Sequence, residues 1–596
     1  MSFPAVRAQE SVKETVARIE EAAEICRSIL ARTPDNPTYL GLMGVIECKA
    51  GRPAQAEKWF SKALAIMPDS PETLCSFALA IIMQKHFQRA IPLLKRATEI
   101  KADFAPALEH LANAYKECGN LVEAARVYER LLALRPEDVQ ILYKLAIVSK
   151  DLGNLGAARN YCERAVNREP SNPYCINNLG ILCYMMADYN GALNCYRRAL
   201  EFKPDYPEAL SNMSILMQEM GAFDKALDFS ARALTLRPDY PEALNNLGIS
   251  LKDTGRLEKS IEVLRRAAAL NQADPEIAYN LSLALLAAGN FEEGWRLHEA
   301  RWKTRFLKDA YRKYPQPVFN GEGRQGQVLF IYQEQGFGDS LQFCRYASMA
   351  AAMGFRVVLE VQYPLVRLMK SLEGIEAVIA SPEEAGDFDC HCPMMSLPLA
   401  MGAKFETIPD RVPYLRADEK EIFKWAGRLV PMSGQKPRVG LVWAGSARRH
   451  LPSLAMTDRR RSISPNMLAP LLQNKNIAFF SLQKEGPKAP QAFGLIELME
   501  ECEDFADTAA LISNIDLVIT VDTAIAHLAG ALGKPVWVMN RFDSCWRWQR
   551  QSDKTPWYPT MKLFHQPEAG DWESVVRRIA YELARMFPRS SNQLIV

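Results

Sequence analysis

Apolar positions in the first half of the chain recur at helical spacing, and the pattern restarts every 34 residues. Pro34, Pro68, Pro136, Pro170, Pro204 and Pro238 share one lattice, with Ala102 in the empty slot. A second lattice holds Gly51, Gly119, Gly153, Gly221, Gly255 and Gly289, broken by Lys85 and Ala187. Two more hold alanines, Ala56 to Ala226 and Ala63 to Ala267. Glycine turns the chain between paired helices, alanine lets their axes approach, and proline ends the second helix. The period stops near Trp302. Past 325 the pattern becomes short apolar runs alternating with helical stretches, namely 328–332, 357–361, 438–443, 478–482, 516–521 and 535–539. Their length and β-branched content predict buried parallel strands.

The repeating half has the tetratricopeptide (TPR) pattern. Repeats starting at Pro37, Pro71, Ala105, Val139, Pro173, Pro207 and Pro241 are complete, and an eighth from Pro275 runs into Glu299-Ala300-Arg301-Trp302. The expected organisation is a capping helix at 1–36, a TPR superhelix at 37–302 and a Gly/Pro-rich linker at 303–325. Two Rossmann-like halves follow at 326–430 and 437–580, with a tail at 581–596. The fold class is thus an all-α solenoid followed by an α/β domain. Asn178, Asn212, Asn246 and Asn280 recur on the period, and a row of amides could hold the backbone of an extended peptide. The same residues could instead cap or bridge neighbouring helices. The row resembles the asparagine ladder of O-GlcNAc transferase over the later repeats; Lys144 and His110 occupy the lattice upstream.

Length and charge narrow the class. At roughly 100–200 residues per domain, 596 residues make about three or four packed units. The formal net charge is +2, so no global field favours nucleic acid or an anionic membrane. The 13 cysteines are scattered, as suits free thiols in a reducing compartment, and Cys390-His391-Cys392 lacks the second pair a metal site needs. The first 25 residues carry charges where a signal peptide needs an apolar core, and no apolar run is long enough to span a bilayer. The expected protein is cytoplasmic, without membrane insertion, metal or cofactor.

Two stretches carry candidate chemistry. QEQGFGDS leads from strand 328–332 into a helix near Asp339, the place where unpaired helix amides meet anions. As a dinucleotide fingerprint it would use Gly336, Gly338 and Glu360, but Leu341 stands where a third glycine belongs. In the second half, strand 516–521 runs into Asp522-Thr523-Ala524-Ile525-Ala526-His527, with Asp522 or Thr523 as helix cap. Gly445 and Ser446 follow strand 438–443 and lead into a segment with Arg448, Arg449, Arg459, Arg460 and Arg461. These arginines could form a solvated loop or clamp phosphate or carboxylate. Asp387-Phe388-Asp389 is a weak match to a metal-binding DxD. Trp546, Arg547, Trp548, Trp557 and Tyr558 could stack on a base or sugar, or pack.

Residues 326–567 resemble the ADP-heptosyltransferase-like (glycosyltransferase family 9-like) domains found fused to TPR arrays. The likeness runs through EQGFGDSLQFCRY (334–346), GLVWAGS (440–446), DRRRSI (458–463), FFSLQKE (479–485), DTAALI (507–512), VDTAIAHLAGALGKPVWVM (521–539), WRW (546–548) and PWYP (556–559). It implies a metal-independent GT-B glycosyltransferase using a nucleotide-sugar co-substrate. Asp339 falls where the family places its general base. Asp522, Thr523, Ala524 and His527, with Gly445, Ser446, Arg459, Arg460 and Arg461, fall where the donor would lie. The long insertion 447–461 is a departure that bears on donor identity. The combination with TPR repeats is also similar to flagellin glycosyltransferases, which implies flagellin as partner and a nonulosonic acid such as pseudaminic acid, carried as its CMP donor. The alternatives are a TPR binding protein with an inactive GT-B domain and a glycan-directed heptosyltransferase-like enzyme.

Overall fold

The computed structural model describes residues 3–323, 325–446 and 452–588. Arg448 and Arg449 lie outside the described residues. The chain divides into two compact units, 1–204 and 205–596.

The first unit is all helix. Helix Phe3–Arg32 packs Ala23, Cys26 and Leu30 against Leu40, Met43 and Ile46 of the first repeat. Helix pairs follow on the predicted period, from Pro37–Lys49 with Pro53–Ile66 to Pro173–Met185 with Tyr189–Phe202. Asn36, Ser70, Asp138 and Asn172 cap first helices with their side chains, several ahead of a proline that needs no amide partner. Ala56, Ala90, Ala124, Ala158 and Ala192 are wholly buried, as close helix approach requires. The turn between paired helices is left-handed, with φ of +75° at Gly51 and +76° at Gly119. Lys85 and Ala187 adopt the same conformation at φ +61° without being glycine.

The second unit begins with three more helix pairs, from Pro207–Glu219 to Phe291–His298, and a 3-10 turn, Glu299–Lys303. Two parallel sheets follow. The first holds β1 (Val328–Tyr332), β2 (Arg356–Glu360), β3 (Ile375–Ile379) and β4 (Cys390–Pro393) in the order β3-β2-β1-β4. The second holds β5 (Arg438–Val442), β6 (Ala478–Ser481), β7 (Ile496–Glu497), β8 (Leu517–Val521), β9 (Val536–Asn540) and β10 (Met561–His565) in the order β10-β9-β8-β5-β6-β7.

The last repeat shares a core with the sheets, which is why the compact units part at Pro204 and not in the 303–325 segment. Phe291 stacks on Trp557 at 6.0 Å, and Trp295 meets Trp546 edge-on at 5.3 Å. Trp546, Trp548, Trp557 and Tyr558 are therefore packing residues, buried in the hydrophobic core. The 303–325 segment is anchored as well. Arg312 grips both oxygens of buried Glu360, which removes Glu360 as a ribose ligand. Asp389 accepts the Val328 amide at 2.7 Å, and Cys390, His391 and Cys392 are successive residues of β4. Among the described residues no helix is long and apolar enough to cross a membrane.

Candidate functional site

In a parallel sheet, ligands gather at the strands' C-terminal ends, where neighbouring strands send their connections in opposite directions. The sheet orders place that point between β1 and β4 in one sheet and between β5 and β8 in the other. The loops at these points are 333–336 after β1, 443–446 after β5 and 522–523 after β8, and they carry the residues the sequence singled out.

After β1, Gly336 opens helix Phe337–Ala352 without a side-chain cap. Asp339 bends back so that its Oδ2 accepts the Gly336 amide at 3.0 Å. Its Oδ1 accepts from Arg547 Nη2 at 2.5 Å. Each carboxylate oxygen keeps a further lone pair, and the side chain is 22% exposed. Arg547 also donates to Gln342 Oε1 and lies over the Trp546 ring at 4.5 Å.

After β8, the cap of helix Ala524–Ala531 is Thr523 and not Asp522. The Thr523 hydroxyl pairs with Thr520 at 3.0 Å, so it makes no bond to the first-turn amides. His527 is buried one turn in, stacked on Trp548 at 5.1 Å, with Nδ1 3.0 Å from the Tyr558 hydroxyl. Burial, followed by the positive field of Arg547, pushes its pKa down to about 3. Tyr558 continues to Tyr414 and Arg345, a buried cation that also donates to the Trp557 carbonyl. The two helix starts meet directly. A Cβ on Gly338 would lie 3.0 Å from His527 Cδ2 and 3.9 Å from Ala524 Cα.

The arginines divide between two tasks. Arg461 lies flat on Gly445, where a Cβ would come within 2.5 Å of its guanidinium. It donates to the Ser446 carbonyl at 3.3 Å and the Asp522 carbonyl at 3.5 Å, and it pairs with Asp458 at 2.9 Å. Ser446 is exposed and bonds Glu485 at 2.7 Å. Arg460, expected with the donor, points the other way. It bonds the Glu219 carbonyl at the end of helix Pro207–Glu219 and Asp543 at 3.1 Å. Burial would raise Asp543, but Arg541 and Arg460 hold its carboxyl below the ordinary value. Arg550 repeats this contact one repeat on, donating to the Asp253 carbonyl at 2.9 Å. Both arginines meet the negative end of a repeat helix. Arg459 is exposed.

Three of the four asparagines bond between neighbouring helices. Asn178 donates to Cys162 Sγ at 3.2 Å, Asn246 to Ser211 Oγ at 2.9 Å and Asn280 to Asn245 Oδ1 at 3.0 Å. All three bonds bridge consecutive repeats. Asn212 is half-buried in helix Pro207–Glu219.

Sequence reasoning did not pair Arg547 with Asp339, because 208 positions separate them. Gln342 and Arg345 were open to detection, since they follow Asp339 at helical spacing on a buried face.

Tetratricopeptide repeat families match residues 15–71, 82–146, 139–172, 188–221 and 217–278. Glycosyltransferase family 9 (heptosyltransferase) matches residues 497–539, the stretch holding Asp522, Thr523, Ala524 and His527. The chain is similar to Protein FlbA of Caulobacter vibrioides, 28% identical over 323 residues, covering 49% of this chain and 52% of that protein. It thus spans about half the length of that relative. Among solved structures, a tetratricopeptide repeat protein from Parabacteroides merdae ATCC 43184 is 17% identical, with a TM-score of 0.38, over 42% of this chain and 98% of that one. YrrB, described as a TPR protein with an unusual peptide-binding site, is 23% identical, with a TM-score of 0.27, over 31% of this chain and 95% of that one. The chain therefore combines TPR repeats with a family 9 glycosyltransferase stretch.

Proposed function

We propose that this TPR glycosyltransferase is a cytoplasmic protein O-glycosyltransferase of GT-B type, whose repeats dock a protein acceptor and whose two sheets hold acceptor hydroxyl and nucleotide-sugar between them. The observation that carries the reading is the meeting, at Gly338 and His527, of two helix starts, one after each central strand, whose N-cap residues give no side-chain bond to the helix amides. Free amides of helix Ala524–Ala531 and the Arg461 guanidinium suit the donor's phosphate. Asp339 accepts the proton of a Ser or Thr hydroxyl as its oxygen attacks the anomeric carbon. The bond from that carbon to the nucleotide's phosphate oxygen breaks, and the nucleotide departs as an anion. A carboxylate positioned this way contributes typically about 10²–10⁴-fold. The charge building on the leaving phosphate is met by fixed amides and arginine. Neutral His527 adds no charge and shapes the wall between the two subsites.

The best acceptor candidate is flagellin and the best donor a CMP-linked nonulosonic acid such as pseudaminic acid, whose carboxylate an arginine would suit. This choice rests on the pairing of TPR repeats with a family 9 stretch. Thirteen cysteines, all free thiols, fit a reducing cytoplasm. The test is transfer in vitro: purified chain, unmodified flagellin and a panel of nucleotide-sugars, read by intact mass. One discrete increment with one donor supports the reading. No increment with any donor removes flagellin as acceptor.

A further inference from the structure

The loop presenting Asp339 is fastened to the end of the repeats by a buried ion pair. Arg301, in the 3-10 turn Glu299–Lys303, has no exposed surface. Its Nε donates to Glu334 Oε2 at 2.8 Å and its Nη2 to Glu334 Oε1 at 3.1 Å, a fork meeting a carboxylate on both prongs. The remaining donors reach Glu299 at 2.6 Å, Ser396 Oγ at 2.7 Å and the His298 carbonyl at 3.3 Å.

Glu334 is the second residue after β1, and its Oε1 also accepts the Met395 amide at 2.8 Å. The one carboxylate therefore ties the loop after β1 to the loop after β4, across the point where the sheet's connections diverge. From Glu334 the backbone runs through Gln335, whose carbonyl is held by Gln362 at 2.8 Å, to Gly336, whose amide holds Asp339. Every residue from 334 to 336 thus has a fixed bond.

A buried ion pair is a poor source of stability, because desolvation offsets most of its attraction and well-packed apolar residues of similar size do as well or better. What the guanidinium supplies that a hydrophobic side chain cannot is direction, since its planar fork fixes the plane of the carboxylate it grips. We propose that Arg301 is a positioning residue: through Glu334 it sets the 333–336 loop and hence the Asp339 carboxylate, so that the last repeat is part of the catalytic machinery. The proposal rests on the reading of Asp339 as the base.

The test compares Arg301→Lys, Arg301→Met and the double variant Arg301→Met/Glu334→Leu in the full chain. Three readouts are taken: thermal midpoint, hydrogen exchange of 333–339, and kcat against donor KM in the transfer assay. Arg301→Lys keeps the charge and loses the fork; it should exchange about tenfold faster across 333–339 and lose about tenfold in kcat, with donor KM within about twofold. The double variant should melt close to wild type yet stay at least about tenfold down in kcat. A double variant with wild-type kcat would make the pair merely structural and overturn the proposal. So would unchanged exchange and kcat in Arg301→Lys, a result that stands even if both Met variants fail to fold. Absence of transfer by the wild-type chain strikes the proposed function instead, and exchange of 333–339 still reads the positioning.

Discussion

Gly338 and His527 touch so closely that a single added carbon would sit 3.0 Å from the imidazole ring. The ring cannot retreat, because Trp548 stacks on its face at 5.1 Å and Tyr558 holds Nδ1. Gly338→Ala must therefore shift one helix start against the other. The shift needed is a few tenths of an ångström, so kcat/KM should fall by about three- to fivefold. Stability should drop by only about 1–3 kcal/mol, as for other overpacking changes. Steady-state kinetics and a denaturant titration on the same preparation check both.

The pH dependence of stability follows from His527. Its folded pKa of about 3 lies below the ordinary 6.5, so between these values the unfolded chain binds a proton that the folded chain does not. Stability from this site is therefore complete above pH 6.5 and is lost as pH falls towards 3. His527→Gln should flatten the acid limb of stability against pH, measured by urea unfolding at pH 4.5 and 7. An unchanged limb would show that other groups carry it.

Lys85 and Ala187 hold a left-handed turn that their lattice neighbours give to glycine. A side chain there is strained, so Lys85→Gly and Ala187→Gly should each stabilise the chain by about 0.5–1 kcal/mol, despite the larger entropy of unfolded glycine. A rise in thermal midpoint reads this directly.

The shared core sets where the chain can be cut. A fragment of residues 205–596 keeps Phe291, Trp295 and Arg301 with their partners and should fold cooperatively. A fragment of residues 303–596 exposes Trp546 and Trp557 and leaves Glu334 buried without its cation. It should aggregate or melt without a cooperative transition. Circular dichroism melts of the two fragments distinguish these outcomes.

The strands that could be read from the sequence are the interior ones. β1, β2, β5, β6, β8 and β9 have neighbours on both sides, and full burial makes them apolar runs. The four that escaped, β3, β4, β7 and β10, are the sheet edges, where residues such as Glu376, His391, Glu497 and Lys562 break the pattern. The repeats were legible because one helix pair recurs and each copy restates the rule. In the site, Asp339, Thr523 and His527 stood out through local motifs at helix starts. The partners that define their chemistry, Arg547 and Tyr558, come from distant chain, and nothing local marks such a meeting. The adjacent Arg460 and Arg461 were indistinguishable in sequence; only the helix carrying them turns one towards the repeats and the other towards β5 and β8.

The most direct test of the central claim is intact-protein mass spectrometry of flagellin from cells carrying the wild-type gene, a deletion, or Asp339→Ala. The wild type should give a uniform mass increment per site and both mutants should lose it, while the Asp339→Ala protein remains folded. Flagellin that keeps its full increment with Asp339→Ala would contradict the assignment of this cleft as the catalytic site.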